Sequence, residues 1–290
     1  MSISADLGQE RRVVIPQGAI SYRDRGDGPP IVFVHGVGVN GDLWRNVVPR
    51  LARSRRCITP DLPWGSHSLP LKADADLSLP GMARITADFI AALDLDDVTI
   101  VANDTGGAVA QALVGRHPER IARLVLTSCD AFEKFPPTPQ KYLEVMARSR
   151  LLTWIVAYTA QFKTIQRLPT AYGFVTSRPM PPDIMRSFTD PVRLNPGVRR
   201  DFRRMLRAVD TKYTFEAADR LTGFDKPALV LWADNDKIFP RDHGRRLAKL
   251  LPQGQFELIA GSRTFIPEEQ PDRLVTAIEG FLDAHPTRAE

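Results

Sequence analysis

The chain has 290 residues, 43% of them hydrophobic and 25% charged, proportions of an ordinary globular protein with one α/β domain and an insertion, or with two small domains. Its 39 basic and 34 acidic side chains leave a net charge of +5, yet no nucleic-acid motif accompanies the excess and no apolar run approaches the ~18 residues of a membrane span. Nucleic acid and membrane are therefore excluded as expected partners.

"RRVVIPQGAISYRDRG" predicts two short strands around a turn at Pro16–Gly18. "PPIVFVHG" is a continuous β-branched and aromatic run, the pattern of a strand buried on both faces. "GDLWRNVVPRLARS" predicts one helix, and Arg56–Asp61 a short strand. "LPGMARITADFIAALDL" is a helix with proline near its first turn. Then "DDVTIVAN" predicts a strand, "GGAVAQALVGRHP" a helix and "IARLVLTSCD" a strand. "KPALVLWADND" and "QFELIAGS" supply late strands, and "PDRLVTAIEGFLDAH" a closing helix. This alternation argues for a doubly wound, mostly parallel sheet.

The alternation breaks between about 131 and 220, where helical periodicity and prolines replace strands. That stretch is expected to be a helical cap, residues 132–219, over a core of 1–131 and 220–290. Ligands of open α/β sheets bind outside the carboxyl ends of the strands, where such a cap would lie. Within it, "RLNPGVRRDFRRMLR" concentrates arginine. The choice is between a site for an acidic partner or anionic substrate and the solvated face of an amphipathic helix. The helical spacing of Val198, Phe202, Met205, Leu206 and Val209 favours the second. Cys57 and Cys129 lie in or beside apolar runs, outside any metal-ligand spacing. They are expected to be buried free thiols in a cytoplasmic protein with no metal and no cofactor. The first sixteen residues lack the apolar core of a signal peptide.

"VANDTGG" turns from strand to helix at Asp104. A turn this tight admits only small side chains around its central residue, and Ala102, Gly106 and Gly107 fill those positions. Together with "FVHGVG", "PDLPWGSH", the cap and "LWADNDKIFP", this elbow resembles the α/β-hydrolase fold family, in particular its aspartate-nucleophile branch of epoxide hydrolases and haloalkane dehalogenases. The resemblance implies an eight-stranded sheet and Asp104 as nucleophile. It implies an oxyanion hole from the backbone N–H groups of Val37 and Thr105, with His35 structural, and Asp236 as the orienting acid, with Asp234 its competitor. A turn aspartate bonded to its own backbone is the alternative for Asp104.

The resemblance also requires a histidine in the loop before the last helix. Phe265, Glu268, Glu269 and Pro271 match the pattern there, but the histidine position holds Thr264. An alkyl-enzyme ester on Asp104 would lack its usual hydrolytic base. His67, on a loop that could border the cleft, is the candidate substitute base, the alternative being a loop histidine with no role. Tyr142, Tyr158, Tyr172 and Tyr213 are candidate proton donors. A halide site is not implied, because Thr105 and Val37 stand where that branch has tryptophan and asparagine. Trp44, Trp64, Trp154 and Phe239 are candidates to line the pocket, with Trp44 and Trp154 read equally as ordinary packing residues.

Three functions remain open. The first is epoxide-hydrolase-like hydrolysis of a small apolar molecule through Asp104. The second is non-hydrolytic acid/base catalysis by an isomerase, lyase or cyclase, with the Asp104 pKa raised by burial. The third is a catalytically silent ligand-binding protein. The expected partner is a small-molecule substrate, with a homodimer the assembly considered.

Overall fold

Eight strands form one sheet in a computed structural model that describes residues 2–133, 135–137 and 140–286. The strands are β1 (Gln9–Ile15), β2 (Gly18–Arg25), β3 (Pro30–Val34), β4 (Arg56–Pro60), β5 (Val98–Asp104), β6 (Ile121–Cys129), β7 (Ala228–Ala233) and β8 (Gly254–Ile259), in the spatial order β1-β2-β4-β3-β5-β6-β7-β8. β1 and β2 pair antiparallel, as do β2 and β4; every other pair is parallel. The expected doubly wound, mostly parallel eight-stranded sheet is present.

Burial follows position in the sheet. β5, β6 and β7 are sheathed on both faces and read as apolar runs, with β7 buried at every residue. β1, at one edge, carries exposed Glu10, Arg11 and Arg12, charges that discourage pairing with another chain. The chain goes from β3 to β4 on one side and then to β5 on the other. This reversal opens a crevice at the carboxyl ends of β3 and β5. His35–Val37 and Asp104–Thr105 follow those two ends.

The helices of the core are α1 (Val48–Leu51), α2 (Leu79–Ala92), α3 (Thr105–Arg116), α10 (Arg241–Leu250), α11 (Ile266–Glu269) and α12 (Pro271–Ala284); between β6 and β7 lie α4 (Tyr142–Met146), α5 (Arg150–Thr159), α6 (Lys163–Gln166), α7 (Pro182–Leu194), α8 (Pro196–Arg207) and α9 (Thr211–Leu221). The insertion contains no strand among the described residues. One expected helix is broken in two. A 3₁₀ turn at Gly41–Trp44, capped by the Asn40 side chain, is followed by the short α1 with Pro49 at its start. Proline lacks the N–H that an uninterrupted helix would need there.

α8 bears out the amphipathic reading of its arginines. Asn195 caps it, and Val198, Phe202, Met205 and Leu206 are buried. Polar ties hold the insertion to the core. Asn40 Nδ2 donates to the Ser187 carbonyl at 3.0 Å, Ser66 Oγ to the Phe188 carbonyl at 2.7 Å and Ser187 Oγ to Asp42 Oδ2 at 2.6 Å. Cys57 and Cys129 are buried free thiols. No described helix is long and apolar enough to cross a membrane.

Candidate active site

Asp104 closes β5 and caps α3 with φ 57° and ψ −134°, a conformation that costs a non-glycine residue of order 1–3 kcal/mol. The surrounding packing imposes it. A Cβ on Gly106 would overlap the Val34 carbonyl, one on Gly107 the Cys129 side chain, and one on Gly36 the Asp104 carboxylate itself. The small residues are there because strand, helix and the loop after β3 converge on a single point.

The carboxylate at that point is buried among few compensating charges. Burial pushes its pKa up to about 7, with the negative charge of Asp236 adding to the rise; the backbone N–H groups of Thr105 and Val37 hydrogen-bond to it and pull the other way. The two amides expected to form an oxyanion hole thus already converge on one carboxylate. Such paired donors stabilise negative charge developing in a transition state, commonly by ~3 kcal/mol each.

His35 serves this geometry from behind. It is fully buried, and the Leu62 N–H donates to its Nε2 at 2.8 Å. Nδ1, 2.8 Å from the Gly36 carbonyl, therefore carries the proton and donates to it. Burial lowers the His35 pKa to about 3, so the ring stays neutral. It braces the Val37 loop without reaching the cavity.

Asp236 and Thr264 are brought together as the resemblance requires. Thr264 Oγ1 donates to Asp236 Oδ1 at 3.0 Å, and the same oxygen accepts the Ile238 and Phe239 N–H groups at 2.8 Å each. Asp234, the competing acid, instead accepts the N–H of Gly261 at 2.9 Å. Asn103 Nδ2 donates to the Thr264 carbonyl at 2.8 Å, tying the loop to the residue before Asp104. Asp236 Oδ2 is buried without a partner. Burial raises the pKa of Asp236, against the hydrogen bonds from Phe239, Ile238 and Thr264.

A cavity of about 180 Å³ lies over Asp104. Val37, Asp104, Thr105, Tyr142 and Tyr172 line it, together with apolar residues that include Leu143, Val156, Phe188 and Phe265. Tyr172 donates to the Gly38 carbonyl at 2.6 Å and Tyr142 to the Thr170 carbonyl at 3.3 Å. Burial raises the pKa of both phenols.

Other expectations need correcting. Tyr158 does not line the cavity; it is exposed and stacks on Trp154. Nor does Tyr213, which packs partly buried against the core. Trp44, Trp64 and Phe239 are buried in the core and Trp154 lies on the surface, so none of these four aromatics lines the cavity. His67 is buried outside the cavity lining, with Nε2 3.5 Å from Asp201 Oδ2 on α8. Burial depresses the pKa of His67 while Asp201 opposes the fall. None of the histidines is among the lining residues.

One buried lining carboxylate escaped the sequence reading. Asp130 follows β6, is fully buried, and accepts the Thr105 hydroxyl at 2.8 Å on Oδ2, while Oδ1 has no partner. Burial and then the charge of Asp104 push its pKa well above the usual carboxylate range, against the Thr105 bond. Its signal was positional: an aspartate just beyond a strand whose Cys129 pairs with Asp104. Among the described residues, no group of three His, Cys, Asp or Glu side chains could hold a metal ion.

Residues 29–271 match the family model for the alpha/beta hydrolase fold. The chain belongs to the α/β-hydrolase fold family. This α/β-hydrolase-fold chain is 29% identical to a 2-hydroxymuconate semialdehyde hydrolase of a Pseudomonas species, covering 96% of this chain and 95% of that protein. It is 28% identical to a cis-3-alkyl-4-alkyloxetan-2-one decarboxylase of Xanthomonas campestris, covering 96% of each. A ligand-free epoxide hydrolase structure superposes with a TM-score of 0.78 at 18% identity over 96% of this chain and 99% of the other, a likeness of fold.

Proposed function

We propose that the protein acts on a small apolar molecule with a strained oxygen ring, which Asp104 opens by nucleophilic attack on carbon in an epoxide-hydrolase-like reaction. The observation that carries this reading is the Asp104 carboxylate itself, set on the elbow, bonded by the Val37 and Thr105 amides and open to an apolar cavity. One carboxylate oxygen forms a bond to a ring carbon while the ring C–O bond breaks. The phenol of Tyr172 or Tyr142 gives its proton to the departing oxygen and regains one from water. The product is a hydroxyalkyl ester on Asp104. Core residues 1–131 and 220–290 supply the nucleophile, and cap residues 132–219 supply the tyrosines.

Hydrolysis of that ester needs a base, and Thr264 has none to offer. Its hydroxyl is committed to Asp236. Incubation with 1,2-epoxyoctane followed by intact-mass measurement tests the reading. The expected outcome is a single adduct that clears slowly from the wild type and never forms on Asp104→Asn. In Thr264→His an imidazole can donate to the unpartnered Asp236 Oδ2, and diol release is expected to rise by at least tenfold. An intact, folded Thr264→His protein with unchanged release would remove Thr264 from the histidine position.

A second reading follows from the pKa of about 7 at Asp104 and the raised pKa of Asp130 beside it. Two adjacent buried carboxyl groups with pKa values raised above the usual carboxylate range are suited to proton transfer without a covalent intermediate. Epoxide turnover with no adduct at any time point, abolished in Asp104→Asn, would favour this acid/base reading. Saturable binding with neither adduct nor turnover would favour a ligand-binding protein.

A further inference from the structure

A second cavity, of about 870 Å³, shares Tyr172 and Thr189 with the cavity over Asp104. Its walls differ in kind. Lys163, Arg167, Arg178, Arg186, Arg193 and Arg263 line it against one carboxylate, Asp190. Asp190 is taken by Arg193 at 2.7 Å. Arg263 Nη1 is spent on the Gly173 and Thr176 carbonyls at 2.6 and 3.2 Å, and its buried Nε has no partner. Lys163, Arg167, Arg178 and Arg186 are exposed and make no ion pair or side-chain hydrogen bond among the described residues.

Uncompensated cations in one concave site focus a positive potential and concentrate anions. The inner cavity has the opposite character, apolar walls with the carboxyl groups of Asp104 and Asp130 at its floor. An anionic head would be repelled from Asp104 and held by the arginines, whereas an apolar chain is favoured inside. The two cavities together therefore orient an amphiphile in one direction only.

We propose that the basic cleft binds the anionic head group, a carboxylate or a phosphate, of the molecule whose apolar portion reaches Asp104. The proposal names the substrate class and rests, for the reacting end, on the ring-opening reading. Guanidinium groups suit both anions, since each takes paired N–H donors from arginine.

Isothermal titration of the full-length protein with decanoate, decyl phosphate and decanol tests the head-group site. These probes do not react with Asp104, so the result does not depend on the ring-opening chemistry. Both anions are expected to bind at least tenfold tighter than decanol in low salt, with the advantage shrinking as sodium chloride is raised. The tighter of the two distinguishes carboxylate from phosphate as the natural head. Arg178→Ala/Arg186→Ala should lose that tenfold for the anions and leave decanol unchanged. Equal binding of decanol and both anions, or anion binding indifferent to the double variant, overturns the proposal. The link to Asp104 is read from alkylation by 10,11-epoxyundecanoate and by its methyl ester, the acid being expected to react at least fivefold faster at low concentration. Equal rates with intact anion binding would overturn the link between the cleft and Asp104. Absence of any adduct with intact anion binding would instead overturn the ring-opening reading alone.

Discussion

At Asp104 a single proton separates two chemistries. Only the carboxylate can attack carbon, so the rate of adduct formation with 1,2-epoxyoctane should climb as pH rises through about 7 and level off above it. A rate falling over the same interval would mark Asp104 as a proton donor. Stability moves the opposite way. The folded chain keeps a proton on Asp104 up to about pH 7, whereas the unfolded chain releases it near 3.9. The folded state then holds more protons in that interval, so stability falls as pH rises from about 4 to 7. Asp104→Asn removes the buried charge and should raise the melting temperature at pH 8, by an equivalent of up to about 4 kcal/mol, with a gain less than half as large at pH 5. The turn at Asp104 was legible because its neighbours must be small for steric reasons. Asp130 was not, because an aspartate ending a strand looks the same in sequence whether water or the Thr105 hydroxyl meets it.

At the scale of elements, the elbow is a packing solution. Gly106 lies where α3 crosses the end of β3, against the backbone carbonyl of Val34. That carbonyl belongs to the sheet and cannot move aside like a flexible side chain. Gly106→Ala should therefore cost more than about 2 kcal/mol in a urea titration, although alanine improves helix propensity by nearly 1 kcal/mol. A stability within about 0.5 kcal/mol of wild type would show that the strand end is softer than this geometry requires. The strands were readable because the parallel ones, buried on both faces, are almost unbroken apolar runs. The helix expected over residues 41–54 failed because its apolar spacing is compatible with two short turns, and Pro49 decides between them. Trp64 and Phe239 were misread as pocket residues for a related reason. Apolar character reports burial, but not which side of the sheet the side chain fills.

Across the whole molecule, the seam between insertion and core is built from buried polar groups. Asp201 on α8 accepts the Leu71 N–H at 2.7 Å and both Arg200 Nε and Nη2, and it meets His67. Burial works to raise its pKa, but these bonds outweigh it and leave Asp201 below the usual carboxylate range. Asp201→Ala would strand the buried Leu71 amide at the seam. The expected cost is about 1–3 kcal/mol, read as a lower denaturation midpoint. A midpoint unchanged from wild type would mean that the seam is held by its apolar contacts alone. The charge distribution also has meaning at this scale. The arginines of α8 mostly clothe an amphipathic helix, as their spacing indicated, whereas the cations of the basic cleft come from six separate positions between residues 163 and 263. Five of them fall within residues 163–193, but their spacing there does not show that they face one cleft with Arg263. Tyr172 links these scales, since its hydroxyl rests on the Gly38 carbonyl, one residue beyond the amide of Val37 that bonds Asp104. A guest that displaces the phenol would release a carbonyl of the loop that carries the Val37 amide, so the cap's hold on a guest and the floor's hold on the carboxylate share one short stretch of backbone.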